Sequence, residues 1–242
     1  TRINGHPDTP CLVFLHEGLG CIEMWKDFPQ HLCRRTGCPG LVYDRHGYGK
    51  SSPLTRTRDI DYVHEYARTE LNLLIDTMLG DQPCILVGHS DGASIALLYG
   101  AAHRPNLTAI VSEAAHVFVE EKTVAGIEIA HRQYLKHGVP RLVKYHGDKT
   151  DMIFKAWAEI WLSDWFRCWN IEALLPKITC PVLAIQGAED AYGTVKQVES
   201  IVSHVGGPAE PFIIEGCGHT PHLDCEDTVL TSIQNFINRC IS

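Results

Sequence analysis

Positive charge is what this sequence is shortest of. Its 21 lysines and arginines stand against 29 aspartates and glutamates, a net charge of −8 at neutral pH. Clustered cationic surface is what draws a protein to nucleic acid or to an anionic membrane, so neither is expected as a partner. Long apolar runs are missing as well. The longest, such as Cys11-Leu12-Val13-Phe14-Leu15, have the length of a strand and fall far short of the roughly 20 residues a membrane span needs. The first ten residues, TRINGHPDTP, are polar and show no secretory signal pattern. No Cys-x-x-Cys pair occurs among the ten cysteines, which argues against a zinc site. The cysteines read as small buried apolar residues of a reducing, cytoplasmic setting, with a Cys33–Cys38 disulfide as the competing reading. Internal repeats, low-complexity tracts and Gly/Ser linkers are absent too, so the whole of 1–242 reads as one domain.

What is present is an alternation. Short runs rich in Val, Ile and Leu at Leu12–Leu15, Leu41–Tyr43, Cys84–Val87, Thr108–Val111, Val182–Ile185 and Pro211–Ile214 predict buried strands. Amphipathic stretches at 61–79, 90–103 and 228–241 predict helices, the first with Leu71, Leu74, Ile75 and Met78 on one face. Strand and helix in alternation imply an α/β fold with a mostly parallel sheet and helices on both faces. Ligands bind such sheets at the carboxyl ends of the strands. One stretch, from about 116 to 176, has helical patterns and no strand, and it carries four tryptophans at spacing four: Trp157, Trp161, Trp165 and Trp169. It predicts a helical cap over a core formed by 1–115 and 177–242. Rings at that spacing drift around a helix, so some of them are expected to line an apolar pocket and the rest to pack as core.

The strongest local signal is Gly88-His89-Ser90-Asp91-Gly92, between a strand and a helix. A strand turning sharply into a helix holds its central residue in a strained conformation, and flanking glycines remove side chains that would collide. The hydroxyl of Ser90 then stands at a helix N-terminus, where developing negative charge is favoured. A serine nucleophile needs a base, and the base needs an orienting acid. His219, in Gly216-Cys217-Gly218-His219 after the last strand, is the expected base. Asp190, in Gln186-Gly187-Ala188-Glu189-Asp190, is the expected acid, with Glu189 and Glu113 as rivals. His222 and Asp224 beside His219 suggest a zinc reading that lacks further ligands, so no metal is expected.

These residues resemble the α/β-hydrolase fold enzymes over nearly the whole chain. His16-Glu17-Gly18-Leu19-Gly20 is similar to their oxyanion loop, and Asp44-Arg45-His46-Gly47-Tyr48-Gly49-Lys50-Ser51 to the loop after the next strand. The Ser-Asp-Gly elbow and LLPKITCPVLAIQGAED resemble the biphenyl-hydrolase-like branch, which includes valacyclovir-type amino-ester hydrolases. The resemblance implies a serine hydrolase that cleaves a small carboxylic ester, an amino ester or a lactone without a cofactor. It implies an oxyanion hole from the amides of Asp91 and of Gly18 or Leu19. It implies a second role for Asp91, receiving a substrate ammonium; Trp157, Trp161 and Trp165 are expected as further substrate contacts from their spacing and not from the resemblance. A carbon–carbon bond hydrolase of a ring-cleavage product using the same three residues is the alternative, and a non-catalytic binding member of the fold is a third. Two departures stand out. Glu17 occupies a position that is usually Gly, which brings a carboxylate to the oxyanion site. Only about ten residues precede the strand at Leu12, where the family usually has two strands. The N-terminal strands are therefore expected to be missing or very short, and an unpaired edge would invite a homodimer. His16 is expected to support its loop, and Asp44 to pair with Arg45.

Overall fold

A computed structural model, which describes residues 1–241, shows a seven-stranded sheet. In chain order the strands are β1 (Arg2–Ile3), β2 (Cys11–Leu15), β3 (Gly40–Val42), β4 (Cys84–His89), β5 (Leu107–Glu113), β6 (Val182–Gly187) and β7 (Ala209–Ile214). They lie side by side as β1-β3-β2-β4-β5-β6-β7. Every neighbouring pair is parallel except β1 with β3. This is the α/β-hydrolase arrangement, and all six expected strands are present. The N-terminal departure resolves into a strand of two residues. β1 covers part of β3, aided by hydrogen bonds in both directions between the backbones of Thr1 and Val42. Its polar sequence gave no strand signal.

The helices are α1 (Phe28–Thr36), α2 (Tyr62–Glu65), α3 (Asn72–Met78), α4 (Asp91–Gly100), α5 (Glu121–His137), α6 (Pro140–His146), α7 (Thr150–Leu162), α8 (Lys196–His204), α9 (Pro221–Asp224) and α10 (Glu226–Ile241). β2 is buried along its whole length because both faces of the sheet are covered. Side chains alternate across it. Val13 and Leu15 meet the helices that hold Leu71, Ile75 and Leu97, while Leu12 and Phe14 meet α1 and α10 through Phe28, Leu32, Ile233 and Phe236. Between β5 and β6 the chain runs through α5, α6 and α7, with a single isolated bridge between Phe118 and Asn170.

Three expectations and one competing reading need correction. The helix expected at 61–79 is interrupted, because Tyr66–Leu71 forms a wider π-turn between α2 and α3. Such turns reset the helical phase, and here Tyr62, Tyr66, Leu71 and Ile75 are all buried. The four tryptophans do not share one helix. α7 ends at Leu162, and Trp165 follows in a separate 3-10 turn. Cys33 and Cys38 are buried free thiols, and all ten cysteines are unbridged. Asp44 does not pair with Arg45. It accepts the amides of Ile22 at 2.7 Å and Lys50 at 2.8 Å, whereas Arg45 turns inward toward Asp91.

Candidate active site

The turn from β4 into α4 places Ser90 at φ 52° and ψ −118°, a backbone conformation L-residues rarely adopt. The turn is held because its flanks leave no room for anything else. A Cβ on Gly88 would lie 2.4 Å from the Gly92 carbonyl oxygen, and one on Gly92 would lie 2.0 Å from the Leu15 carbonyl oxygen. Gly92→Ala must therefore push α4 off β2, at about 1–3 kcal/mol or more. A lowered melting temperature with reduced activity is the expected result, and an unchanged one would mean that this contact is soft. The Ser90 amide donates to the Glu113 carbonyl of β5 at 2.9 Å, fixing the bend to the neighbouring strand.

Three loops at the carboxyl ends of β4, β6 and β7 bring Ser90, Asp190 and His219 together. His219 Nε2 is 3.1 Å from Ser90 Oγ, and His219 Nδ1 is 2.7 Å from Asp190 Oδ2. Asp190 is fully buried and also accepts from Gln186 Nε2 at 2.5 Å and from the amides of Tyr192 and Gly193 at 2.7 and 3.3 Å. Burial opposes its ionisation, yet the His219 hydrogen bond and charge, with the amide donors, hold its carboxyl below the usual range. Burial likewise works against protonated His219. The Asp190 hydrogen bond and charge, helped by Glu17 and Glu113, outweigh it and raise its pKa above the ordinary histidine value. His89 donates Nε2–H to the His219 carbonyl at 2.7 Å and so braces that loop. Burial drives the pKa of His89 down to about 3, so its ring is neutral.

The rival groups are placed elsewhere. Glu189 faces solvent. Glu113 accepts from both the amide and Nδ1 of His222, at 2.7 and 2.9 Å. His219 and His222 thus place their Nδ1 atoms on different carboxylates.

The loop after β2 is clamped from below. Arg45 N–H donates to His16 Nε2 at 3.1 Å, which leaves the ring proton on Nδ1, and that nitrogen donates to the Glu17 carbonyl at 2.8 Å. The Glu17 carbonyl also accepts Arg45 Nη2 at 2.6 Å. In a trans peptide the next N–H points the opposite way, so the Gly18 amide is aimed away from Arg45. The Tyr48 hydroxyl holds the Gly18 carbonyl at 2.8 Å and orients the Leu19 amide in the same manner. Among the described residues, the amides of Gly18, Leu19 and Asp91 donate to no protein acceptor.

Ser90 and His219 open into a small pocket walled by Gly18, Leu19, Trp157, Trp161 and Tyr192. Trp161 donates Nε1–H to the Tyr62 hydroxyl at 2.9 Å, and Tyr62 donates to Asp91 Oδ2 at 3.0 Å. Trp165, expected to contact substrate, is 49% exposed and lines a separate groove with Leu54, Lys155 and Ser163, because the chain has left α7 by then. Sequence reasoning passed over His116, Thr123, Ile127 and Tyr192, which also line the pocket. The last was within reach: it lies two residues past Asp190, where an Asx-type turn returns its amide to the carboxylate.

A profile described as the alpha/beta hydrolase family matches residues 12–231. The chain belongs to that family. This alpha/beta hydrolase is 24% identical over 270 residues to a proline iminopeptidase of Saccharolobus solfataricus, covering 96% of this chain and 86% of that protein. It is 24% identical over 205 residues to the human serine hydrolase BPHL, covering 81% of this chain and 68% of the relative. A thermophilic esterase from Thermogutta terrifontis superposes with a TM-score of 0.74 at 16% identity, over 100% of this chain and 93% of the other. No helix among the described residues is long and apolar enough to cross a membrane.

Proposed function

We propose that this alpha/beta hydrolase cleaves a small carboxylic ester through an acyl-enzyme on Ser90. The observation that carries the reading is the continuous hydrogen-bonded line from Ser90 Oγ through His219 to buried Asp190. In the first step Ser90 Oγ bonds to the carbonyl carbon while His219 Nε2 takes its proton. The oxyanion is received by the amide of Asp91 and that of Gly18 or Leu19, each worth ~10²–10³ in rate. The C–O bond then breaks, and His219 returns the proton to the departing alkoxide. A water molecule, deprotonated by His219, attacks the acyl group, and its collapse restores the Ser90 hydroxyl. The aromatic walls supplied by Trp157, Trp161 and Tyr192 suit a short acyl group. Ester turnover on a panel of p-nitrophenyl esters, with a fluorophosphonate adduct mapped to Ser90, is the expected result. Turnover confined to vinylogous diketones would replace this reading with carbon–carbon bond hydrolysis, and no adduct at Ser90 would end it.

The raised pKa of His219 sets the acid limb. Only neutral imidazole accepts the Ser90 proton, so activity falls as pH drops through that pKa. The midpoint of the kcat/KM limb is expected above the ordinary histidine value of about 6.5. A midpoint below it would mean that Asp190 and its companions do not govern His219.

A further inference from the structure

The charges around the pocket are matched one by one, with a single exception. Asp190 is bonded to His219, and Glu113 to His222. Asp91, at 2% exposure, accepts the Tyr62 hydroxyl and lies 3.9 Å from Arg45. Glu17 has no hydrogen-bonded or ion-paired partner among the described residues: burial pushes its carboxyl above the ordinary range, and the through-space charges of His219 and His222 oppose that only in part. Among the described residues no hydrogen-bond donor reaches its carboxylate, although its backbone carbonyl takes bonds from His16, Arg45 and Gly20. The side chain folds over Gly20, where an added Cβ would lie 2.8 Å from Glu17 Cγ. It lines the Ser90 pocket on one side. On the other it lines a small neighbouring cavity with His16, Trp25, His89 and His222. Burial keeps His16 and His89 neutral, so neither supplies a counter-charge. Trp157 closes over Gly18, the next residue, with its Cδ1 2.7 Å from where a Gly18 Cβ would be. A carboxylate without a hydrogen-bonded partner, beside the half-buried Trp157 ring in the same pocket, is a composition suited to an ammonium.

We propose that Glu17, and not Asp91, is the residue that binds a protonated amine carried by the substrate close to its scissile carbonyl. Closeness follows from the shared pocket, because Glu17 lines it with Ser90 and precedes Gly18 and Leu19, whose amides are the candidates for the oxyanion. The substrate class is then the ester of a small amino acid or of another short amino-bearing acid. This rests on the acyl-enzyme reading for its chemistry, though not for the binding of a cation.

The test therefore separates binding from turnover. Calorimetry on Ser90→Ala protein compares benzylammonium with neutral benzyl alcohol. Benzylammonium is expected to bind more tightly, and adding Glu17→Gln or Glu17→Ala should cut that preference by about 10- to 100-fold, the worth of one charge-assisted contact. Adding Asp91→Asn should cut it much less. In protein with Ser90 intact, the ratio of kcat/KM for phenylalanine methyl ester to that for 3-phenylpropionate methyl ester should fall by a similar factor in Glu17→Gln, chiefly through KM. No preference for the ammonium, equal losses on both ligands, or a loss that follows Asp91→Asn would overturn the assignment. Ester turnover without that preference would overturn Glu17 alone. Glu17-dependent ammonium binding without any hydrolysis or adduct at Ser90 would uphold the seat and overturn the acyl-enzyme reading.

Discussion

Replacing Ser90 by alanine is expected to lower ester turnover by about 10⁴-fold or more and to abolish fluorophosphonate labelling, with the fold intact. The serine hydroxyl has one partner in the protein, His219 Nε2 at 3.1 Å, and that ring borders the open pocket, so its removal leaves no enclosed polar group stranded. Alanine inherits the same φ of 52° and the same backbone strain, so the melting temperature should move by little. No neighbour can take over. Ser94, the next hydroxyl on α4, donates to the His116 carbonyl at 2.6 Å and is held away from His219. Initial rates on p-nitrophenyl acetate, with intact-mass labelling, decide the matter. Retained turnover in a folded Ser90→Ala protein would show that the pocket activates water directly.

Asp190→Asn should cost about as much, near 10⁴-fold, through a different failure. Asp190 Oδ1 accepts the amides of Tyr192 and Gly193, and that anchor dictates the orientation of an asparagine. With its carbonyl oxygen kept there, its NH₂ faces Gln186 Nε2 and His219 Nδ1, both of which are now donors. Relief comes if His219 moves its proton to Nε2. That nitrogen then points a proton at Ser90 and can no longer accept one. The lost carboxylate also removes the main support of the raised histidine pKa, so whatever activity remains should show its acid limb at lower pH. Near-normal turnover in this variant would return Glu113 to consideration as the orienting acid.

The two variants also separate chemistry from recognition. Both should leave the ammonium preference of the empty pocket in place, because Glu17 is held by the loop after β2 and by the contacts of Arg45, His16 and Gly20.

The sequence by itself determined six of the seven strands and the order of their loops. Buried strands announce themselves as short apolar runs, and the elbow announces itself because a helix can follow a strand that abruptly only with glycine at Gly88 and Gly92. Ser90, Asp190 and His219 were legible for the same reason: each sits in a short loop directly after a strand, and parallel strands deliver their ends to one edge of the sheet. Contacts between residues distant in sequence were not legible. Nothing in the spacing of Asp44 and Arg45 tells that the aspartate turns to Ile22 and Lys50 while the arginine passes under the loop after β2. Nor does the spacing of the tryptophans reveal that α7 stops at Leu162 and leaves Trp165 on another surface. Whether Glu17 has a counter-ion could be decided only by the tertiary structure, because partnership between charges depends on distances in space, and adjacency along the chain does not fix them.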